Sequence, residues 1–495
     1  MPPQIRNRLG LLIFILGFSL YLSLISKGPV TVDCLELAVG VQQTLDTHHL
    51  HYLYGFGYPL MVVLGLVFTL AGKYAGVTDN ILALNFIGVI FGSMGIVVFF
   101  LLVHQFSDTM TALAASFILL LNPIFLDVST YGISHAPALC FLLLGLLCLI
   151  DFHNNPNTPR LLLSALCFGL MGATRFQDLI LTSPLIVAVL IFGFTRNSQE
   201  LKLRRIFLFA GLLALITMLF HLPYFLSDGH VYSIQLNNFW QSGLTENFKG
   251  IFSPSLMASY SYLSAAFTPV GIFCFVAGLL VMGRSKRQLL LLTVLWWIIP
   301  LGFYGNLVTT APRFFTIILP AFIIPISFFL AYLFRRKNWA LKILALICFL
   351  TILFWPLQST LGTFERRHQY GLIADFYQWV GQRTEADALI ITSDDGPFVP
   401  YYAHRKFVYK PAGARHLMSQ ELSDFKMVLD RALNERTPVY ITGMGLSGYD
   451  FYGEFKNFMR KNYHLTTIGK KPLELWYTTP FDPKLHMSVL MKVER

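Results

Sequence analysis

Asp33 and Glu36 are the residues of this chain best placed to do chemistry. They sit in the stretch VTVDCLELAVGV, just after a first apolar run (about 9–26) that ends at Lys27-Gly28-Pro29. From Asp33 to Thr47 the residues suit a short interfacial helix. On it Asp33, Glu36 and Gly40 share one face, with neighbouring side chains about 5–6 Å apart. A carboxylate held there can take the proton of an attacking hydroxyl. Position alone allows a second role, because a carboxylate near a helix start also satisfies its unpaired amides.

The cations come next. Arg175 lies in LMGATRFQDLIL, between two apolar runs, with Asp178 one turn on, and Arg313 lies in APRFFTIILP. Guanidinium suits bidentate contact with phosphate. An ionised group at membrane depth costs at least about 2.5 kcal/mol, so it is expected to be there for function. The structural alternatives are a local ion pair with Asp178 for Arg175 and snorkelling to headgroups for Arg313. Between the two, Arg313 ranks first, because its span should end on the side that holds Asp33. His48, His49 and His51 have poor spacing for a chelating pair and no cysteine partner, so no metal site is assigned. His51 reads instead as part of a headgroup- or substrate-facing loop. His135, in YGISHAPAL, reads as a polar residue packed between helices or in contact with substrate.

A polytopic bundle must hold these groups. The chain is 55% hydrophobic and 13% charged. Soluble proteins carry about a quarter charged residues, so this is an integral membrane protein. Twelve apolar runs approach spanning length: 9–26, 58–76, 81–104, 110–127, 133–151, 160–174, 178–196, 204–226, 260–282, 287–304, 313–334 and 339–358. Basic residues cluster at Arg6 and Arg8, at 196–205, at 284–287 and at 335–342, which marks those loops as cytoplasmic. The loops 27–57, 227–259 and 305–312 and the chain beyond Leu361 are then outside. Parity fails in the middle: with an outer loop near Asp108, four runs precede Arg204 where an odd number is needed. Merging 160–174 and 178–196 into one broken or re-entrant unit restores it, for a total of about eleven or thirteen crossings.

Residues 362–495 alternate helical and strand-like segments, which predicts a small extracytoplasmic α/β domain after a membrane domain of residues 1–361. Five of six cysteines fall in apolar runs and Cys34 in the first loop, so they read as buried apolar residues, not as a disulfide framework. Gly88, Gly92 and Gly95 predict close packing. The net charge of +11 reflects the cytoplasmic clusters, which favour anionic lipid over nucleic acid.

Three ordered motifs carry a resemblance. Asp33-Cys34-Leu35-Glu36-Leu37 is followed by Gly57-Tyr58-Pro59-Leu60 and then by Ala83-Leu84-Asn85. This order resembles the GT-C glycosyltransferases, which take sugars from polyprenyl or dolichyl phosphates. The nearest branch is that of the protein O-mannosyltransferases, with its D-x-G-E-L loop and G-Y-P-L span start. Cys34-Leu35 replaces the small pair usual there, Tyr54 replaces a frequent His, and His135 stands where the branch carries a glutamate. The resemblance implies a GT-C-like membrane domain and a hexosyltransferase that moves mannose or another hexose. It implies Asp33 as base, with Glu36 in support, Arg313 or Arg175 on the donor phosphate, and Tyr58, His51 and His135 near substrate. The partners implied are a polyprenyl-phosphate-sugar donor, membrane lipid, and a protein, lipid or glycan acceptor. A divalent cation is allowed but not assigned. A lipid or sugar transporter (flippase) and a polysaccharide polymerase or ligase are the other classes with this many spans. Against the transporter stand the missing two-fold repeat and the outer domain. No Asn-x-Ser/Thr triplet occurs, which points to the cytoplasmic membrane of a prokaryote.

Overall fold

A computed structural model describes residues 3–51, 58–77, 80–192, 203–240, 254–306, 311–368, 372–393, 396–411, 419–447, 453–475 and 484–495. Two compact units emerge: Met1–Ile25 with Gly40–Phe364, and Ser26–Val39 with Glu365–Arg495.

The first unit is helical. Its elements are α1 (Pro3–Ser23), the later part of α2 (Val32–Thr47), α3 (Pro59–Tyr74), α4 (Asn80–Phe106), α5 (Thr109–Leu121), α6 (Pro123–Val128), α7 (His135–Asn154), α8 (Thr158–Thr174), α9 (Phe176–Phe192), α10 (Leu203–Trp240), α11 (Pro254–Ser285), α12 (Arg287–Tyr304), a 3-10 turn (Pro312–Ile318), α13 (Leu319–Phe334) and α14 (Trp339–His368). Eight helices among the described residues are long and apolar enough to cross a membrane: α1, α4, α7, α10, α11, α12, α13 with its 3-10 turn, and α14.

The connections between helices define two ends of this unit. At one, Asp108 pairs with Arg335, Gln105 donates to Asp151 at 2.9 Å, Arg160 donates to the Asp151 carbonyl at 3.0 Å, and Arg205 lies over the Phe152 ring. The basic turns before α12 and after α13 share a cleft there with Asp108. At the other end, Arg175 donates to Ser134 at 3.1 Å and to Tyr304 at 3.4 Å. The shorter helices α5, α8 and α9 therefore also run from end to end. With the eight long ones, eleven helices among the described residues run between the two ends (8 + 3).

Two expectations are corrected here. Residues 160–174 and 178–196 are not one re-entrant unit, because α8 and α9 are separate helices of 17 residues each. The run that fails to cross is 58–76. Tyr58, at the start of α3, accepts a hydrogen bond from Gln177 at 2.9 Å. After α3 the chain turns at Gly76, whose φ is +80°, and Asn80 at the start of α4 donates to Gln42 of α2 at 2.9 Å. A turn and a half further on, Asn85 accepts from the Gly132 N–H at 2.8 Å, level with Ser134. Both ends of α3 thus lie at the Arg175 end. With α3 removed the parity conflict disappears, and the turn at Asp108 moves from the expected outer side to the basic end.

Gly88 and Gly92 of α4 allow close approach to the turn after α6, whereas Gly95 meets Phe125 of α6 and Cys140 of α7 at ordinary contact distance. A Cβ on Gly88 would lie 2.4 Å from the Tyr131 carbonyl oxygen, and one on Gly92 the same distance from Ser129 Oγ. All six cysteines are free and buried.

The second unit contains the start of α2 and α15 (Leu372–Arg383), β1 (Leu389–Thr392), a π turn (Val399–Ala403), β2 (Lys406–Tyr409), α16 (Ser419–Asn434), β3 (Val439–Thr442), α17 (Gly443–Ser447), α18 (Glu454–Asn462), β4 (His464–Leu475) and β5 (Lys484–Glu494). The sheet order is β2-β1-β3-β5-β4. The first three strands are parallel, while β5 pairs antiparallel with both β3 and β4. Ile391, Ile441 and Val493 of the sheet pack with Phe425, Leu429, Phe455 and Met459 of α16 and α18. The residues YHLTTIG and LELWYTT do not form two strands: β4 runs unbroken from His464 to Leu475 through Pro472. Residues 476–479 of that pair lie outside the described set. The long antiparallel partner β5 supplies the pairing that the sequence pattern did not reveal.

Candidate active site

Asp33 stands in the first turn of α2 and Glu36 in the next, both half-buried. Between and beyond them Cys34, Leu35, Leu37, Ala38 and Val41 are buried. The apolar residues thus anchor the helix, and the carboxylates share its more open face, as the three-residue spacing requires. Cys34 Sγ lies 3.4 Å from Thr31 Oγ1, which joins the helix start to the loop before it.

In the helical unit, polar side chains from four other segments converge on Arg175. Arg175 follows the last turn of α8, and Asp178 sits in the first turn of α9. A cation at a helix C-terminus and an anion at a helix N-terminus each meet a favourable dipole. The pair therefore bridges two helix ends, with Arg175 Nε 2.6 Å from Asp178 Oδ2. Both residues are 2% exposed. The Tyr304 hydroxyl, from the end of α12, donates to the other oxygen of Asp178. The guanidinium faces the Tyr58 ring at 5.8 Å. The local ion pair expected as the structural alternative for Arg175 is present.

A second layer begins at Tyr304. Its ring stacks on Phe314 at 5.4 Å and 13°. Arg313 lies over that same Phe314 ring at 5.5 Å, and the His135 ring is 5.9 Å from it. Trp296 fixes this 3-10 segment to α12 by donating to the Ile317 carbonyl at 2.9 Å. His135 is 4% exposed, yet neither ring nitrogen has a hydrogen-bond partner among the described residues. The guanidiniums of Arg175 and Arg313 both lie within Coulombic reach of the imidazole. Gln177 Oε1 is likewise buried and unpartnered there. Leaving such groups unsatisfied costs about 1–3 kcal/mol each, the mark of a place kept for a polar ligand.

The segment before α7 sets these positions. Asn122 caps α6, accepting from the Ile124 N–H at 3.1 Å, and Asn85 holds the turn at Gly132. A Cβ at Gly132 would come 2.9 Å from the Leu84 carbonyl oxygen, so the turn sits tight against α4. Ser134 and His135 follow at once.

Tyr58, Arg175, Arg313 and His135 therefore come together in the helical unit. His51 does not join them: it folds back on α2, with its N–H donating to Thr44 Oγ1 at 3.0 Å and its Nε2 2.9 Å from Thr47 Oγ1. Gly57 and Tyr54 lie outside the described residues. Among the described residues no group of three His, Cys, Asp or Glu side chains is set to hold a metal ion. Ser134, Gln177 and Tyr304 were missed in the sequence. Only the neighbourhood of Arg175 and His135 flags the first two, and nothing local flags Tyr304.

Comparison with known proteins bears out the resemblance. Residues 62–224 match the family model described as dolichyl-phosphate-mannose-protein mannosyltransferase. No curated protein matches the chain in sequence. Among solved structures, the chain is similar to the oligosaccharyltransferase AglB from Archaeoglobus fulgidus, in complex with an inhibitory peptide and a dolichol-phosphate. The TM-score is 0.63 at 15% identity, covering 93% of this chain and 73% of that one. It is also similar to ArnT from Cupriavidus metallidurans bound to undecaprenyl phosphate (TM-score 0.61, 12% identity, 99% and 97% covered). A third similarity is to the arabinofuranosyltransferase AftD from Mycobacteria (TM-score 0.57, 12% identity), where this chain covers 42% of the longer protein. The fold is that of the GT-C glycosyltransferases.

Proposed function

We propose that this GT-C glycosyltransferase moves a hexose such as mannose from a polyprenyl-phosphate donor to an acceptor outside the cytoplasm. One observation carries the reading. The segment that matches the mannosyltransferase family, 62–224, contains Asn85, Ser134, His135, Arg175, Gln177 and Asp178, six of the residues that build the buried polar cluster. Two similar structures hold a dolichol-phosphate and an undecaprenyl phosphate, which supports a lipid phosphate as the carrier here.

The chemistry suits the residues. A sugar phosphate brings its own leaving group, so the reaction needs a base for the acceptor and positive charge for the departing phosphate. The acceptor oxygen bonds to the anomeric carbon from the face opposite the phosphate, with inversion. The carbon–oxygen bond to phosphate breaks and the phosphate keeps its electron pair. The acceptor proton goes to Asp33, with Glu36 in support. Arg313, at the Arg175 end of the bundle, is the first candidate to hold the phosphate, and Arg175 the second. His135 and Tyr58 border the donor. By the distribution of basic residues, the Arg335 end of the bundle faces the cytoplasm, and the Arg175 end, with residues 362–495, faces outside.

The test is direct. Purified protein is incubated with a panel of polyprenyl-phosphate sugars, and free polyprenyl phosphate is measured. Release with one sugar identifies the donor. No release from any of the panel, with or without acceptor extract, rejects the reading.

A further inference from the structure

The basic end of the helical unit holds a cleft of about 630 Å³ between the α4–α5 turn, the α11–α12 turn and the end of α13. Lys286, Arg287 and Arg335 line its rim together with Asp108, Gln105 and Gln288. Three cations face one carboxylate, and that carboxylate is already engaged by Arg335. Lys286 and Arg287 are exposed and have no carboxylate partner among the described residues. The cleft is therefore short of about two negative charges. Its floor differs in kind: Phe106 and Phe328, 6.4 Å apart and stacked, lie beside Leu289.

We propose that this cleft binds a phosphate group, carried by an anionic phospholipid headgroup or free in solution. Phosphate meets the excess charge, and the guanidiniums and the neighbouring amides offer donors to its oxygens. The apolar floor beneath a charged rim favours the lipid, whose glycerol and first methylenes need such a surface. Basic pockets between helices at the cytoplasmic face are general headgroup sites. The proposal is independent of the transfer reaction, because the cleft lies at the end of the unit opposite Arg175.

The test uses the whole protein, its Lys286→Ala/Arg287→Ala double variant and the charge-preserving Lys286→Arg/Arg287→Lys. Both side chains are exposed, so the folded bundle should be unaffected. In the lipid arm, retention of phosphatidylglycerol against phosphatidylcholine is measured by native mass spectrometry after reconstitution in mixed nanodiscs. The expected result is a preference for phosphatidylglycerol that falls about tenfold in the alanine variant and persists in the charge-preserving one. In the second arm, Tm is followed with inorganic phosphate against chloride at equal ionic strength, which removes general screening. A rise that only the alanine variant loses supports the site and names free phosphate as its occupant. If the alanine variant responds like the parent in both arms, or the parent responds in neither, the site is overturned.

Discussion

Tyr304 donates to Asp178 on the oxygen that Arg175 leaves open, so one carboxylate ties α12 to the junction of α8 and α9. The three groups are separated by 129 residues of sequence at the widest, yet none is exposed. Removing a member should cost according to what remains. Tyr304→Phe deletes the hydrogen bond donated to Asp178 and the longer one accepted from Arg175, and should lower stability by about 1.5–3 kcal/mol. Asp178→Asn leaves a buried guanidinium uncompensated and should cost about 3–5 kcal/mol. Denaturation of both variants in the same detergent checks the order, and a Tyr304→Phe loss equal to or above that of Asp178→Asn contradicts it.

The two arginines should separate by readout. Arg175→Ala should lower Tm strongly, because it abandons Asp178 in a buried site. Arg313→Ala should weaken donor binding per folded molecule by about 2–4 kcal/mol, with Arg313→Lys intermediate because it keeps the charge and loses the planar fork. Unchanged donor affinity in both Arg313 variants would remove that residue from the site.

Asp33→Asn keeps the shape of the side chain and removes the proton acceptor. Transfer should fall by roughly 10²-fold or more, while donor affinity and Tm hold. Near-normal turnover would shift the base to Glu36, which the companion Glu36→Gln variant would then reveal.

Gly88→Ala places a methyl group 2.4 Å from the Tyr131 carbonyl oxygen, against backbone that has little room to move. Overpacking of this kind costs about 1–3 kcal/mol. The displaced turn leads directly into Ser134 and His135, so activity should fall further than Tm alone would predict. Equal activity per folded molecule would show that the turn does not set the site.

The C-terminal sheet carries a pH dependence of its own. The Tyr440 hydroxyl donates to Glu385 at 2.7 Å and holds its carboxyl below the usual range, against a smaller opposing effect of burial. A depressed carboxyl contributes stability that is present above its unfolded pKa, about 4.3, and is lost as pH falls through the folded value. Tyr440→Phe should therefore flatten the acid limb of the Tm profile between about pH 5 and 3, and leave it unchanged in shape near neutrality. An acid limb identical to that of the parent would assign the effect elsewhere.

Much of this site could be read residue by residue. The α2 helix, its paired carboxylates and the Arg175–Asp178 pair follow from spacings of three, which a helix turns into neighbours. Gly88 and Gly92 signalled close approach without naming the partner. Tyr304 and Phe314 were illegible, because nothing in their own surroundings tells that α12 and the 3-10 turn fold over the α8–α9 junction. The sheet was half visible for a similar reason: β1 and β3 are short buried apolar runs, while β2 and β5 owe their places to partners far along the chain. Apolar length misled at 58–76, where composition matched a span and geometry did not.

That last case has a practical effect on any reporter-based mapping of this protein. Because α3 starts and ends at the same end of the bundle, counting apolar stretches from Met1 inverts every assignment after Gly76. Enzyme fusions placed after Gly76 and after Asp108 should thus report opposite compartments, the first periplasm-like and the second cytosol-like, each the reverse of what a hydropathy plot would lead an experimenter to expect.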